Sequence, residues 1–283
     1  LSPQMASVEL LKLVDPSLYY SKFIGGGIFP DGRAIDAFKP FSFKRGVVGG
    51  VCAGSALVRQ GGVTVVCSLS ASLSPLSTET MMTTEWEGAP DDAEIKMALV
   101  DARTLLDELI SREAFFTRRA LRSTDERLEW RIVAKFRLLH SDGDLSAAVV
   151  GALLAALTDA RLPTVHLQHA ADDEAPIDPQ EITIEKEESQ WNRISLSSHP
   201  VASSFILYRD EEGKMHLLAD PPVDARRLSR SQCTIVIGKK EKQTPSMLAL
   251  RSSGSFSDDL LRRMVGIAEK RQETIVKALE KRE

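Results

Sequence analysis

The 283-residue chain predicts an α+β fold, and three stretches carry the prediction. Residues 63–73 are rich in β-branched side chains and bounded by glycine, as a strand requires. Residues 145–157 are apolar almost without interruption and include the small Gly151 and Ala152, so a helix there has to be buried inside a domain. From Ser255 onward the pattern turns amphipathic, with Leu260, Met264, Ala268, Ile275 and Leu279 on one stripe. Strands followed by helices thus occur in each half, a pattern that suits an old duplication although no residue-level repeat is visible.

Composition narrows the class. An apolar fraction of 43% and a charged fraction of 27% are those of an ordinary globular protein. No apolar run reaches the roughly 20 residues of a membrane span, and the first residues lack the basic flank and cleavage site of a signal peptide. Cys52, Cys67 and Cys233 are too scattered for a disulfide framework or a metal site and are expected to be reduced, buried thiols. No metal and no cofactor is expected. The net charge of −4 argues against a free-standing, non-specific nucleic-acid binder. Charge is uneven, however: residues 170–188 carry eight acids against one lysine, while 112–137 and 226–242 lean positive.

In chain order, residues 16–23 suit a short helix stopped by Gly25-Gly26-Gly27. Pro30-Asp31-Gly32-Arg33 is a turn. Strands are expected at 41–47, 55–59 and 63–73. The glycine-rich 46–54 between the first two has neither phosphate-loop nor dinucleotide spacing and reads as a hairpin connection. Another strand is expected at 81–87. A helix follows over 90–111, with Asp91 and Asp92 favourable to the dipole at its start. Residues 128–138 alternate cleanly, placing Leu128, Trp130, Ile132, Ala134, Phe136 and Leu138 on one buried face. This strand delivers the chain to Asp142-Gly143-Asp144 and the apolar helix. In the second half, 203–208 and 215–219 flank a hairpin turn at 210–213, strands 233–237 and 247–250 continue the sheet, and Ser255 or Ser257 caps the last helix. The expected organisation is an N-terminal extension with a helix (1–28), a first half (29–168), an acidic connection (169–190) and a second half with the C-terminal helix (191–283).

Several pieces coincide in order and spacing: Pro30-Asp31-Gly32-Arg33, Gly54-Ser55-Ala56-Leu57-Val58, Thr64-Val65-Val66-Cys67 and Asp142-Gly143 before the apolar helix. His199-Pro200-Val201-Ala202-Ser203-Ser204-Phe205, Leu218-Ala219-Asp220-Pro221 and Cys233-Thr234-Ile235-Val236-Ile237 follow. Together they resemble the RNase PH family from about Tyr19 to the last helix. That resemblance implies the RNase PH α+β fold and a place in the six-membered ring of the RNA exosome. It also implies RNase PH-like sibling subunits, S1/KH-type cap subunits and RNA as partners, and residence in nucleus, nucleolus and cytoplasm.

Active members bind inorganic phosphate with Asp-Gly-Gly-Thr-Arg-Thr-Ala at the start of the buried helix. Here those positions read Asp142, Gly143, Asp144, Leu145, Ser146, Ala147 and Ala148: the arginine has become Ser146, the threonines Leu145 and Ala147, and Asp144 adds a negative charge. Of a Gly-Arg-x-x-Glu-Ile start on the preceding helix, Glu94-Ile95 remains while the arginine position falls at Asp91. Of three catalytic aspartates, Asp220 keeps the first and reads as a turn-former beside Pro221. The other positions hold Arg226 and Gln232, with Asp224 within a one- or two-residue slip. Phosphorolysis needs a bound phosphate, cations to hold it and an acid for the leaving group. The resemblance therefore implies a catalytically silent subunit that lines the RNA path and supports 3′-to-5′ processing and degradation; the alternative is an active phosphate-dependent 3′–5′ exoribonuclease. Arg118, Arg119 and Arg122 are the candidate RNA contacts, against an ordinary solvated loop. His166, His169, His199, Ser203 and Ser204 have no partners at catalytic or metal-ligand spacing, and Trp86, Trp130 and Trp191 read as core or interface anchors.

Overall fold

A computed structural model describes residues 10–50, 52–88, 91–123, 127–167, 182–185, 187–239 and 244–281. Helix α1 (Pro16–Ile24) begins where Asp15 accepts the Leu18 amide at 3.0 Å and Pro16 pre-sets the first turn. The glycine run ends it, with Gly27 at a left-handed φ of 78°. Strands β1 (Phe41–Arg45), β2 (Gly54–Gln60), β3 (Gly62–Pro75), β4 (Met82–Glu87) and β5 (Leu128–Asp142) form the first sheet, in the order β1-β2-β3-β5-β4. The 46–53 segment is indeed the connection of an antiparallel pair, β1 with β2. Only β4 runs parallel to its neighbour, β5, and the crossover between them carries helix α2 (Ala93–Ser111). Asp92 caps α2 through the Glu94 and Ile95 amides, at 2.8 and 3.1 Å.

Helix α3 (Leu145–Asp159) is the apolar stretch of the sequence, and all its residues from Ala147 to Leu157 are buried. It packs against β1, β2 and β3 on one side and against strand β10 (Val201–Arg209) of the second sheet and α2 on others, which is why it shows no polar face. Its C-terminal Asp159 accepts the amides of Gly46 (3.2 Å) and Ser55 (3.0 Å), pinning the β1–β2 connection. Short strands β6 (Arg161–Leu162), β7 (Val165–Leu167), β8 (Ile182–Ile184) and β9 (Asn192–Arg193) pair as β6–β9 and β7–β8. Most of the expected acidic connection, through residue 181, lies outside the described residues, as do His169 and Lys186.

The second sheet has the order β11-β10-β12-β13, from β10 (Val201–Arg209), β11 (Met215–Ala219), β12 (Ser231–Gly238) and β13 (Ser246–Ser253). Helix α4 (Val223–Arg227), which periodicity did not foresee, interrupts it after β11. Helix α5 (Asp258–Glu280), capped by Ser257 and not Ser255, covers β10 and β12. Met264 and Ala268 join Phe205, Cys233, Ile235 and Ile237 in the core beneath it. The result is sheet, helix layer, sheet, helix.

Three expectations need correction in detail. Cys67 and Cys233 are buried free thiols, but Cys52 is only half-buried and sits on the β1–β2 connection. On β5 the inward set Leu128, Trp130, Ile132, Ala134 and Phe136 is buried as the alternation requires, yet Glu129 on the opposite face is buried too. The apolar stripe of α5 contains Arg271 and Gln272 as buried members. Of the tryptophans, Trp86 stacks on Phe136 with ring centroids 4.7 Å apart, and Trp191 donates to the Glu185 carbonyl at 3.1 Å.

Candidate active-site cleft at the start of the buried helix

β5 ends and α3 begins within three residues, so Asp142, Gly143 and Asp144 form a tight corner. Gly62 sits under it: a side chain there would run into the Asp142 carbonyl. Asp144 is the N-cap of α3. Its side chain is buried and accepts the Ala147 amide at 3.3 Å, so the protein's own carboxylate sits where the unpaired N–H groups of a helix start would hold an anion. Among the described residues its Oδ2 has no hydrogen-bond partner. Ser146 is half-buried, whereas Leu145 and Ala147 point into the core.

Above this corner lies a cleft of about 500 Å³. It is walled by the first half of α2 with its cap (Asp92, Glu94, Asp101), the end of β5 (His140, Asp142), α4 (Asp224, Arg226, Arg227) and Gln232 of β12. Five carboxylates face two arginines, and both arginines are engaged. Arg227 grips Glu94 with Nε at 3.0 Å and with Nη2, holding the Glu94 carboxyl below the usual range. Arg226 Nη2 forms an ion pair with Asp144 Oδ1 at 3.6 Å, beyond hydrogen-bonding distance, and among the described residues its Nε and Nη2 have no hydrogen-bond partner. Asp224 is bridged by Lys12 at 2.7 Å, which raises the lysine pKa through that hydrogen bond.

Asp220 is elsewhere in role. It has φ 46°, is buried, accepts the Lys39 amide at 2.8 Å and donates its own amide to the Ser204 carbonyl at 2.9 Å. Its left-handed φ, directly after β11, is that of a turn residue. Arg33 of the Pro-Asp-Gly-Arg turn clamps it in place, donating to the carbonyls of Ala37, Ala219 (3.2 Å) and Asp220 (3.0 Å) with its guanidinium 4.1 Å from the centre of the Phe29 ring. The His199 carbonyl accepts from Gln272 at 3.2 Å, and Ser203 is fully buried in β10.

Sequence reasoning missed the cations that return to this region from distant elements. Lys39 reaches along the Gly61 backbone, and its ammonium lies 4.0 Å from where a side chain on Gly143 would begin. Arg271 rises from α5; burial lowers its pKa, while Asp220 and Asp144 act in the opposite direction. One signal for Arg271 was present: it lies seven residues after Met264 and four before Ile275, squarely on the apolar stripe.

The candidate RNA arginines divide. Arg118 is tied into the fold: Nε and Nη2 meet the fully buried Glu129 carboxylate at 2.9 and 2.8 Å, and Nη2 also donates to the carbonyls of Ser77 and Glu79 (3.0 Å for the latter). That paired guanidinium holds the Glu129 carboxyl below its ordinary value. Arg119 and Arg122 are exposed.

The architecture of two four- and five-stranded sheets around a buried helix, with a cleft where that helix starts, is the RNase PH-like α+β fold. Residues 37–163 match the family model described as the 3′ exoribonuclease family, domain 1, of RNase PH. The chain is similar to one in the Archaeoglobus fulgidus exosome with RNA bound to the active site, at 17% identity and TM-score 0.68 over 95% of this chain and 99% of that one. It is also similar to a chain of an archaeal exosome core (19%, TM-score 0.65, 96% and 99%) and to Rrp46 of rice, Oryza sativa (15%, TM-score 0.56, 89% and 99%).

Proposed function

We propose that the chain is a non-catalytic subunit of the RNA exosome ring, corresponding to the eukaryotic subunit called ribosomal RNA processing protein 43. Tyr19-Tyr20 ahead of the Asp-Gly-Arg turn and the His199–Phe205 strand favour that subunit among its siblings, and the likeness to exosome chains supports the ring. In this reading it joins other RNase PH-like subunits in a six-membered ring under S1/KH-type caps, in nucleus, nucleolus and cytoplasm. It lines the RNA path for rRNA maturation and mRNA turnover. Arg119 and Arg122, exposed on the segment that carries Arg118, are its candidates for touching RNA.

The observation that carries the silent reading is the Asp144 carboxylate seated on the N-terminus of α3. Two unit charges of like sign about 4 Å apart repel by roughly 4 kcal/mol at an effective dielectric constant of 20, which is about a thousandfold in phosphate affinity. Lys39, Arg226 and Arg271 are the groups that would favour the alternative, an active phosphorolytic enzyme, and their field is already shared with Asp144 and Asp220. The test is release of nucleoside diphosphates from a single-stranded RNA by the purified chain in phosphate. No turnover above a buffer control is expected. Robust turnover that depends on phosphate and disappears in Asp224→Asn would establish the enzyme instead.

A further inference from the structure

A second cavity, of about 490 Å³, opens between residues 36–41 and α5, and two of its lining residues, Lys39 and Arg271, are the cations that also approach the corner at the start of α3. Phe38, Phe41, Ile267 and Ile275 supply much of its wall. Arg271 also lines it, with only 7% of its surface exposed. Among the described residues its Nη1 finds no hydrogen-bond partner, and its guanidinium lies 4.0 Å from the centre of the Phe38 ring. Burial opposes its charge, and the carboxylates that favour it, Asp220 and Asp144, act through space without a hydrogen bond. A guanidinium that is desolvated and stacked, with one nitrogen left unpaired among the described residues, is costly to a fold that gains nothing from it. Its five donors in a fixed fork match a carboxylate. Lys270, exposed on the same helix at the cavity wall, adds a positive charge to draw an anion in.

We infer that this cavity is a binding site for a small carboxylic acid with an apolar body, its carboxylate held by Arg271 and its body by Phe41, Ile267 and Ile275. The volume is that of a small-molecule pocket. The chemistry of the wall separates this class from nucleotides: Thr274 is the one hydroxyl lining it, and that hydroxyl already donates to the Lys270 carbonyl at 2.9 Å. The remaining polar groups of the wall are charged, Asp36, Lys39 and Lys270 beside Arg271, so a neutral ribose and base edge find few matched partners there, whereas an aryl or alkyl chain needs none.

The probe is 4-phenylbutyrate, titrated calorimetrically into the full chain, with 4-phenylbutanol, acetate and uridine monophosphate as comparisons. Saturable one-to-one binding of the phenylbutyrate is expected, at least tenfold tighter than the alcohol or acetate and tighter than the nucleotide. Arg271→Met should weaken it at least tenfold. Should that variant fail to fold, Ala278→Trp, which narrows the cavity from a half-buried position on α5, should abolish binding while leaving the circular dichroism spectrum unchanged. Equal affinity for acid and alcohol, preference for the nucleotide, absence of saturable binding, or unaltered binding in Ala278→Trp would each overturn the assignment.

Discussion

Replacing Arg118 by alanine strands the Glu129 carboxylate, and the size of the loss follows from its surroundings. Glu129 has no exposed side-chain surface, receives two hydrogen bonds from one guanidinium, and sits on β5 between β3 and β4. Removing one partner of a buried ion pair costs about 3–5 kcal/mol, because the other charge stays behind without solvent. The same substitution releases the Ser77 and Glu79 carbonyls in the β3–β4 connection. With an unfolding entropy of about 2.1 cal/mol/K per residue, a chain of this length is expected to melt about 5–8 °C lower. Arg118→Lys should recover little, since an ammonium cannot present two N–H groups side by side. Adding Glu129→Gln to Arg118→Ala should restore about 1–2 kcal/mol, as an uncharged amide is cheaper to leave buried. Thermal unfolding by circular dichroism, in parallel with filter binding of a single-stranded RNA, gives the readout. A melting point of Arg118→Ala within about 1 °C of the parent, with RNA binding lost, would refute the structural role and return Arg118 to the RNA path.

Gly54→Ala would place its Cβ 2.6 Å from the Ala160 Cα and 2.8 Å from the Ala156 carbonyl oxygen. Backbone cannot move aside cheaply, so a loss of about 1–3 kcal/mol is expected in urea unfolding. Among the thiols, half-buried Cys52 should react with a maleimide in the native state, whereas Cys67, pushed up by complete burial, and Cys233, pushed up to about 11, should react only on unfolding; mass spectrometry of the labelled peptides decides it. Asp210, buried in the β10–β11 hairpin, accepts from His216 at 2.7 Å and from the Lys214 amide at 2.8 Å, and the His216 bond holds its carboxyl below the ordinary range. A depressed carboxyl stabilises the fold above its unfolded value near 4 and loses that contribution as pH falls through the folded value. Asp210→Asn should therefore flatten the acid limb of the stability profile below about pH 4, and an unchanged limb would count against the pair.

Much of this fold could be read in advance because its core helix is so extreme in composition. Residues 145–157 have no polar side to offer solvent, and α3 is accordingly enclosed by both sheets. Strands β3 and β5 were equally legible, since period-two alternation and β-branching reflect a half-buried pleat directly. Residues that answer to long-range partners were not. Glu129 occupies an outward position in its strand, and Arg118, packed over that face with help from the Ser77 backbone and Arg131, makes burial tolerable. Helix α4 has too few residues to show a period, yet it brings Arg226 to Asp144. Arg271 lies on the apolar stripe of α5, and its packing against Phe38 depends on tertiary structure that the stripe alone does not show. In the candidate site, the identities of the residues at the start of α3 were apparent from sequence, while the cations arriving from α4, α5 and the segment before β1 depend on tertiary structure alone.

The cap made by Asp144 also bears on how this corner can change over time. Exchanging the aspartate for glycine would clear room for a phosphate but would surrender a side-chain cap, and the replacement of an aspartate cap by glycine costs a few tenths of a kcal/mol. It would also leave Arg226 facing an empty, partly buried space. Mutational drift towards an open loop thus runs uphill in stability before any ligand can compensate, which acts as a ratchet holding the corner in its self-filled form.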